Sequence, residues 1–131
     1  MASNMTEKFI GALTELESAR NVERLVELFA DDCEIGNAAV GEKFRGTEGA
    51  RRFWTIYRDH FKDVCSIFQN ESGAGGETVL EWTTVGKIKD GRKIKYDGVS
   101  ILETDGEKIT RFHAYFDPKN WERQMTKRES N

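Results

Sequence analysis

The spacing of apolar residues changes near Lys62, and that change constrains the fold more than any other feature of the chain. Before it, apolar residues recur at helical intervals. Phe9, Leu13 and Leu16 share one face of a helix expected over residues 6–19. Val22, Leu25, Val26 and Phe29 repeat at i, i+3, i+4 and i+7 in a second helix, which Asn21 can cap. The segment "DDCEIGN" reads as a short strand ending at Asn37. The loop "AAVGEKFRG" then leads to Thr47, an N-cap for a third helix with the stripe Ala50, Phe53, Trp54, Tyr57 and Phe61.

After Lys62 the interval becomes two, the period of a strand. Strands are expected over residues 64–70, 77–88, 94–103 and 108–116, with "SGAGG" as a turn between the first two. The joints "KDGR" and "TDGE" contain Asp-Gly, the strongest short hairpin signal. Asp117-Pro118 opens a last short helix, with Trp121 and Met125 as its apolar side. The charged tail "MTKRESN" reads as frayed. Helices followed by a meander define an α+β fold rather than a parallel α/β one. The expected form is a strongly curved, mainly antiparallel sheet wrapped around three helices of the N-terminal half. A cone-shaped cavity is left between them. The 131 residues suit one domain, 1–131.

Charge and composition narrow the function. A net charge of −3 argues against a general nucleic-acid binder. No apolar run approaches the roughly 18 residues of a membrane span. The start "MASNMTEKF" lacks the pattern of a signal peptide, so a cytoplasmic protein is expected. Cys33 and Cys65 have no metal-ligand spacing and read as reduced, buried residues. His60 and His113 are the only histidines, and no spacing joins them to a carboxylate ligand, so no metal is expected. The glycines of "GAGGE" lack the Lys-Ser/Thr of a phosphate loop, and no cofactor is expected.

Strand parity assigns the two faces of the sheet. On the last strand Phe112, Ala114 and Phe116 share one face, and Arg111, His113, Tyr115 and Asp117 the other. The apolar face belongs against the helices, so His113 and Asp117 are expected to point away from the cavity. Asp117 then serves as a helix cap. Ile94, Tyr96, Gly98, Ser100 and Leu102 likewise face inward, opposite Asp97, Val99 and Ile101. Leu80, Trp82, Thr84 and Gly86 form one face of their strand, with parity that a bulge would flip. The expected ligand contacts are Asn37, Trp54, Tyr57, Trp82, Thr84, Tyr96, Ser100, Phe112 and Phe116, with Leu13, Phe53 and Ala114 in the same wall. Such a lining suits a small hydrophobic molecule; the aromatics read equally well as filling a core. The apolar centre of the outer face, Val99 and Ile101, points to a homodimer.

The segments "LVELFADDCEIGN", "FRGTEGARRFW" and "LEWTTVGKIKDGRKIKYDGVSILETDGEKITRFHAYFDP" resemble the nuclear transport factor 2-like superfamily. Within it they most resemble the SnoaL-like polyketide cyclase and ketosteroid isomerase branch. The resemblance spans about residues 6–125 and implies a cone-shaped α+β barrel, usually dimeric through the outer sheet face. It also implies catalytic places. Where ketosteroid isomerases carry a carboxylate base, this chain has Asn37. Where they carry oxyanion-hole donors, it has Leu13 and Ser100. The Asp–Arg–Asp set of limonene epoxide hydrolases corresponds to Thr84, Trp82 and Ala114. The inward aspartate of the polyketide cyclases corresponds to Ala114. Every one of those charged groups is replaced, unless a shift of one residue brings Asp97 or His113 inward. Two readings therefore stand. One is isomerase, cyclase or hydratase chemistry without the usual carboxylate base, using Tyr96 or Tyr57. The other is a non-catalytic dimeric module that binds a hydrophobic molecule or another protein.

Overall fold

Alternation and Asp-Gly turns place four long strands side by side in the C-terminal half. The structure, a computed structural model, describes residues 4–38 and 43–126. In chain order the elements are α1 (Asn4–Ala19), α2 (Glu23–Val26), β1 (Phe29–Asn37), β2 (Phe44–Arg45), α3 (Gly46–Asp59), β3 (Phe61–Ala74), β4 (Glu77–Ile88), β5 (Lys93–Thr104), β6 (Ile109–Phe116) and α4 (Pro118–Met125). Residues 127–131 of the charged tail, and 39–42 of the loop before β2, lie outside the described residues.

The sheet has the order β2-β1-β6-β5-β4-β3 and is open, with β2 and β3 as its edges. β3 to β6 form the antiparallel meander, and β1 joins it by parallel pairing with β6. Parity holds along the meander. Leu80, Trp82, Ile94, Tyr96, Ser100, Leu102, Phe112 and Ala114 are buried on the inner face, while Glu81, Lys95, Asp97 and Tyr115 are exposed on the outer one. β3 and β4 bulge at Gln69, between the pairs Phe68–Trp82 and Asn70–Glu81. Trp82 remains inward through that bulge.

The structure corrects the N-terminal half in several places. The second helix is one turn, with Val22 as N-cap and no side-chain cap. Asn21 sits one residue earlier and accepts from the Glu23 amide at 3.2 Å. Phe29 begins β1 rather than closing a helical stripe, because the sheet captures the chain there. The Leu28 carbonyl accepts from the Ile109 amide at 2.8 Å, and Phe29 pairs with Ile109. So short a helix has too few internal hydrogen bonds to resist that pull. α3 starts at Gly46 with Arg45 as N-cap, and Thr47 instead hydrogen-bonds Asp31 at 3.4 Å. Phe61, read as the end of the α3 stripe, opens β3. "SGAGG" is mostly strand, since β3 runs to Ala74 and turns only at Gly75 and Gly76, both with positive φ. Glycine suits both positions of such a two-residue turn. Cys33 is buried, but Cys65 is exposed on β3.

The core lies between α1, α3 and the inner sheet face. Phe9, Leu16, Leu25, Ile35, Ala50, Leu80 and Ile109 are essentially inaccessible there. Asp117 caps α4, its side chain accepting from the Lys119 and Asn120 amides at 3.0 and 3.3 Å. That cap sets Trp121 against Phe116, with ring centroids 6.2 Å apart.

Candidate functional site

Where α1, α3 and α4 stand off from the curved sheet, the core opens into a cavity of about 120 Å³. Asn37 borders it from β1, Trp54 and Tyr57 from α3, and Trp82 and Thr84 from β4. Tyr96 and Ser100 reach it from β5, and Phe112, Ala114 and Phe116 from β6. Leu13 and Phe53 complete the wall on the helix side. His60, Ser66, Phe68 and Trp121 also line it, and strand parity did not bring these residues into view.

The aromatic wall is built by edge-to-face packing. Phe53 meets Trp54 at 4.9 Å and 87°, and Trp54 meets Tyr57 at 5.7 Å and 81°. Trp82 meets Tyr96 at 5.5 Å and 89°. Such geometries satisfy the ring quadrupoles. Trp82 crosses β5 at Gly98, its register partner. A methyl there would run into the Trp82 ring and lie 2.6 Å from the Tyr115 carbonyl oxygen. Glycine is what lets the indole lie flat. The Trp82 Nε1–H donates to Ser100 Oγ at 2.9 Å, so both polar groups are satisfied in the wall. Trp54 is 3% exposed, and its Nε1–H has no hydrogen-bond partner among the described residues.

A carboxylate stands one hydrogen bond behind the wall. Glu17, on α1, accepts from the Tyr57 hydroxyl at 2.8 Å, the Ser66 amide at 2.8 Å and the Ser66 hydroxyl at 2.6 Å. Ser66 Oγ in turn lies 2.8 Å from Thr84 Oγ1. Among the described residues no carboxylate lines the cavity itself, and the sequence reading did not foresee this one behind the wall. The signal was present: Glu17 follows Leu13 by four residues and so shares its helix face.

Burial governs the titratable groups here. Burial raises the Tyr57 phenol well above its usual value, helped by Tyr96 and the Glu17 charge. Burial also raises Tyr96, against a hydrogen bond from Trp121. Both phenols are therefore neutral hydroxyls at pH 7 and not phenolates. Burial lowers His60, opposed by Asp59 and assisted by Lys89, so its imidazole is neutral at the cavity wall. Among the described residues no group of His, Cys, Asp and Glu is arranged to hold a metal ion.

The remaining candidates look outward. Asp97 is exposed and accepts from Thr83 Oγ1 at 2.6 Å, which in turn accepts from Gln69 at 2.8 Å. His113 pairs with Ile101 across the outer face and lies against Tyr115, 4.4 Å between centroids. Its Nδ1 has no hydrogen-bond partner among the described residues. Burial, Arg111 and Lys43 lower its pKa, against Glu34. The register that would turn Asp97 or His113 inward is not the one adopted.

A curved six-stranded sheet cupping two long helices around an apolar hollow is the nuclear transport factor 2-like, or ketosteroid isomerase-like, fold. Residues 8–112 match the model of the SnoaL-like domain family, and the chain belongs to that family. A hypothetical protein with a ketosteroid isomerase-like fold from Catenulispora acidiphila, solved in complex with trimethylamine, superposes with a TM-score of 0.79. It is 22% identical, over 90% of this chain and 92% of that one. TerC, co-crystallised with polyporic acid, gives 0.81 at 16% identity, over 94% and 98%. A putative SnoaL-like polyketide cyclase from Jannaschia gives 0.77 at 10% identity, over 98% and 99%. At these identities the likeness is one of fold. No curated protein sequence matches the chain.

Proposed function

We propose that this protein binds a small, largely apolar molecule in the cavity between its helices and sheet, as one domain over residues 1–131. Asn37, Trp54, Tyr57, Trp82, Thr84, Tyr96, Ser100, Phe112 and Phe116 serve as the contacts. The observation that carries this reading is the cavity itself, about 120 Å³ with aromatic walls and buried hydroxyls. An apolar void of about 150 Å³ accepts a benzene-sized guest. Two fold neighbours were crystallised with small molecules, trimethylamine and polyporic acid, which supports an occupant of that class. The protein acts in the cytoplasm as a homodimer through the outer sheet face, where Ile67 and Tyr115 are 52% and 45% exposed. Native mass spectrometry of the protein as purified tests both parts. It should show a retained small molecule and a dimer. If no ligand is found and Trp54→Ala changes no binding behaviour, the pocket reading fails.

A second reading is favoured by His60, a neutral base on the cavity wall. In this reading the chain carries out isomerase, cyclase or hydratase chemistry on the bound molecule without the usual carboxylate base. Asn37→Asp tests whether the cavity has a catalytic shape. Isomerase activity of that variant on a cyclic enone supports the reading, and its absence leaves a non-catalytic binding or interaction module as the function.

A further inference from the structure

The hydrogen-bond chain behind the cavity has a fixed direction, and that direction constrains the ligand. A hydroxyl owns one hydrogen. Tyr57 and Ser66 both direct theirs to Glu17 Oε2, at 2.8 and 2.6 Å, while the Ser66 amide fills Oε1 at 2.8 Å. With its hydrogen committed, Ser66 Oγ can only accept in its 2.8 Å contact with Thr84 Oγ1. Thr84 must therefore donate to Ser66. Tyr57 Oη and Ser66 Oγ, 3.4 Å apart, have no hydrogen left to share. Tyr57 and Thr84 line the cavity, so this stretch of wall offers lone pairs and no hydrogen.

We infer that the Tyr57–Thr84 wall is an acceptor-only subsite, set by Glu17, and that it selects ligands bearing a hydrogen-bond donor such as a phenolic or alcoholic hydroxyl. The inference rests on the pocket reading and adds the polarity of the ligand to it. A carbonyl oxygen in the same place would face acceptor lone pairs and lose its own hydration without return. Ser100, which accepts from Trp82, stands outside this chain of bonds. Glu17 touches no ligand in this scheme; it positions the hydrogens of groups that do.

Replacing the carboxylate by an amide should reverse the whole chain. In Glu17→Gln the amide oxygen can stay on the Ser66 amide. The NH₂ group then has one hydrogen for Tyr57 and one for Ser66, the partners that Oε2 now serves. Ser66 would turn its hydrogen to Thr84, and Tyr57 and Thr84 would both donate into the cavity.

The test compares 4-ethylphenol, a donor, with acetophenone, an acceptor of similar size, by tryptophan fluorescence titration. Trp54, Trp82 and Trp121 in the wall provide the signal. The native protein should bind the phenol about tenfold more tightly, and Glu17→Gln should invert the order. A purely structural role for Glu17 would weaken both ligands alike, and that result overturns the inference. Should Glu17→Gln fail to fold, Tyr57→Phe and Thr84→Val replace it. Each should erode the preference for the phenol, and an unchanged preference in both overturns the inference. Equal binding of the two compounds to the native protein removes the polarity but leaves the pocket. Binding of neither at millimolar concentration removes both.

Discussion

The two faces of the sheet use similar residue types to opposite ends. On the inner face Trp82, Tyr96, Ser100 and Thr84 are buried; Trp82 hydrogen-bonds Ser100 at 2.9 Å, Thr84 bonds Ser66 at 2.8 Å, and Tyr96 takes a hydrogen bond from Trp121. On the outer face Thr83 is also buried, but its partners Gln69 and Asp97 are exposed, as are Ile67 and Tyr115. Inside, polar atoms are fixed among aromatic rings around the cavity. Outside, a polar cluster and apolar side chains lie in the open beside ions such as the Arg111–Glu103 pair at 3.4 Å. One strand supplies both surfaces because its side chains alternate. Hollowness, not polarity, is what distinguishes the inner face from the outer one.

The largest effect should come from Phe112→Ala. Phe112 is 4% exposed and packs against Phe9, Phe53 and Trp54 with centroids 5.2–6.2 Å away. Its loss should cost about 3–5 kcal/mol in urea denaturation. A cost below about 1 kcal/mol would mean that the inner face is loosely packed. Gly98→Ala comes next, at about 1–3 kcal/mol, because the new methyl must displace the Trp82 ring. It should also weaken binding of any cavity ligand, whereas a stability loss with unchanged binding would separate Trp82 from the site. Asp117→Ala removes the cap of α4 at the rim between the faces and should cost about 1 kcal/mol.

The two histidines lie on opposite sides of the sheet, His60 at the end of α3 in the cavity wall and His113 on the outer face of β6. Burial lowers both pKa values below the ordinary 6.5. The unfolded chain then binds protons before the folded one does. Stability is full above pH 6.5 and falls as the pH drops through that value. His60→Gln and His113→Gln should each flatten that acid loss in melting curves at pH 7.5 and 5.5 (about two pH units spanning the transition). A steeper loss in either variant would contradict the sign. Ile67→Lys with Tyr115→Lys should change monomer stability least, by about 0.5 kcal/mol or less. In sedimentation it should convert the proposed dimer to monomer, and an unchanged mass would place the interface elsewhere.

How much was legible depended on whether a residue's neighbours were local. β4 was bounded from the sequence as Glu77–Ile88, because its alternation and flanking turns are local signals. Parity then sorted Tyr96 from Asp97 and Phe112 from His113 without knowledge of the tertiary fold. Phe29 was misplaced because its partner, Ile109, is far away in sequence and no local pattern reports it. β2 was missed for the same reason, since Phe44 and Arg45 are strand only through Ile35 and Glu34. Glu17 was overlooked because a glutamate near a helix end reads as solvent-facing. Only the approach of β3 brings the Ser66 donors to it. His60 entered the wall by a local route that the sequence reading passed over: it follows Tyr57 by three residues and keeps helical φ and ψ at the end of α3, so it continues that face.

The parallel seam between β1 and β6 fixes when the hollow can exist. Its two strands are separated in sequence by more than half of the chain; Phe112 and Phe116 reach the wall from β6 itself, and Trp121 follows on α4. A contact that distant forms slowly, since the intervening loop must close first. Until β6 docks, the apolar faces of α1 and α3 lack the part of their cover that Phe112 and Ala114 supply. The hollow is thus complete only once the C-terminal strand has docked against β1.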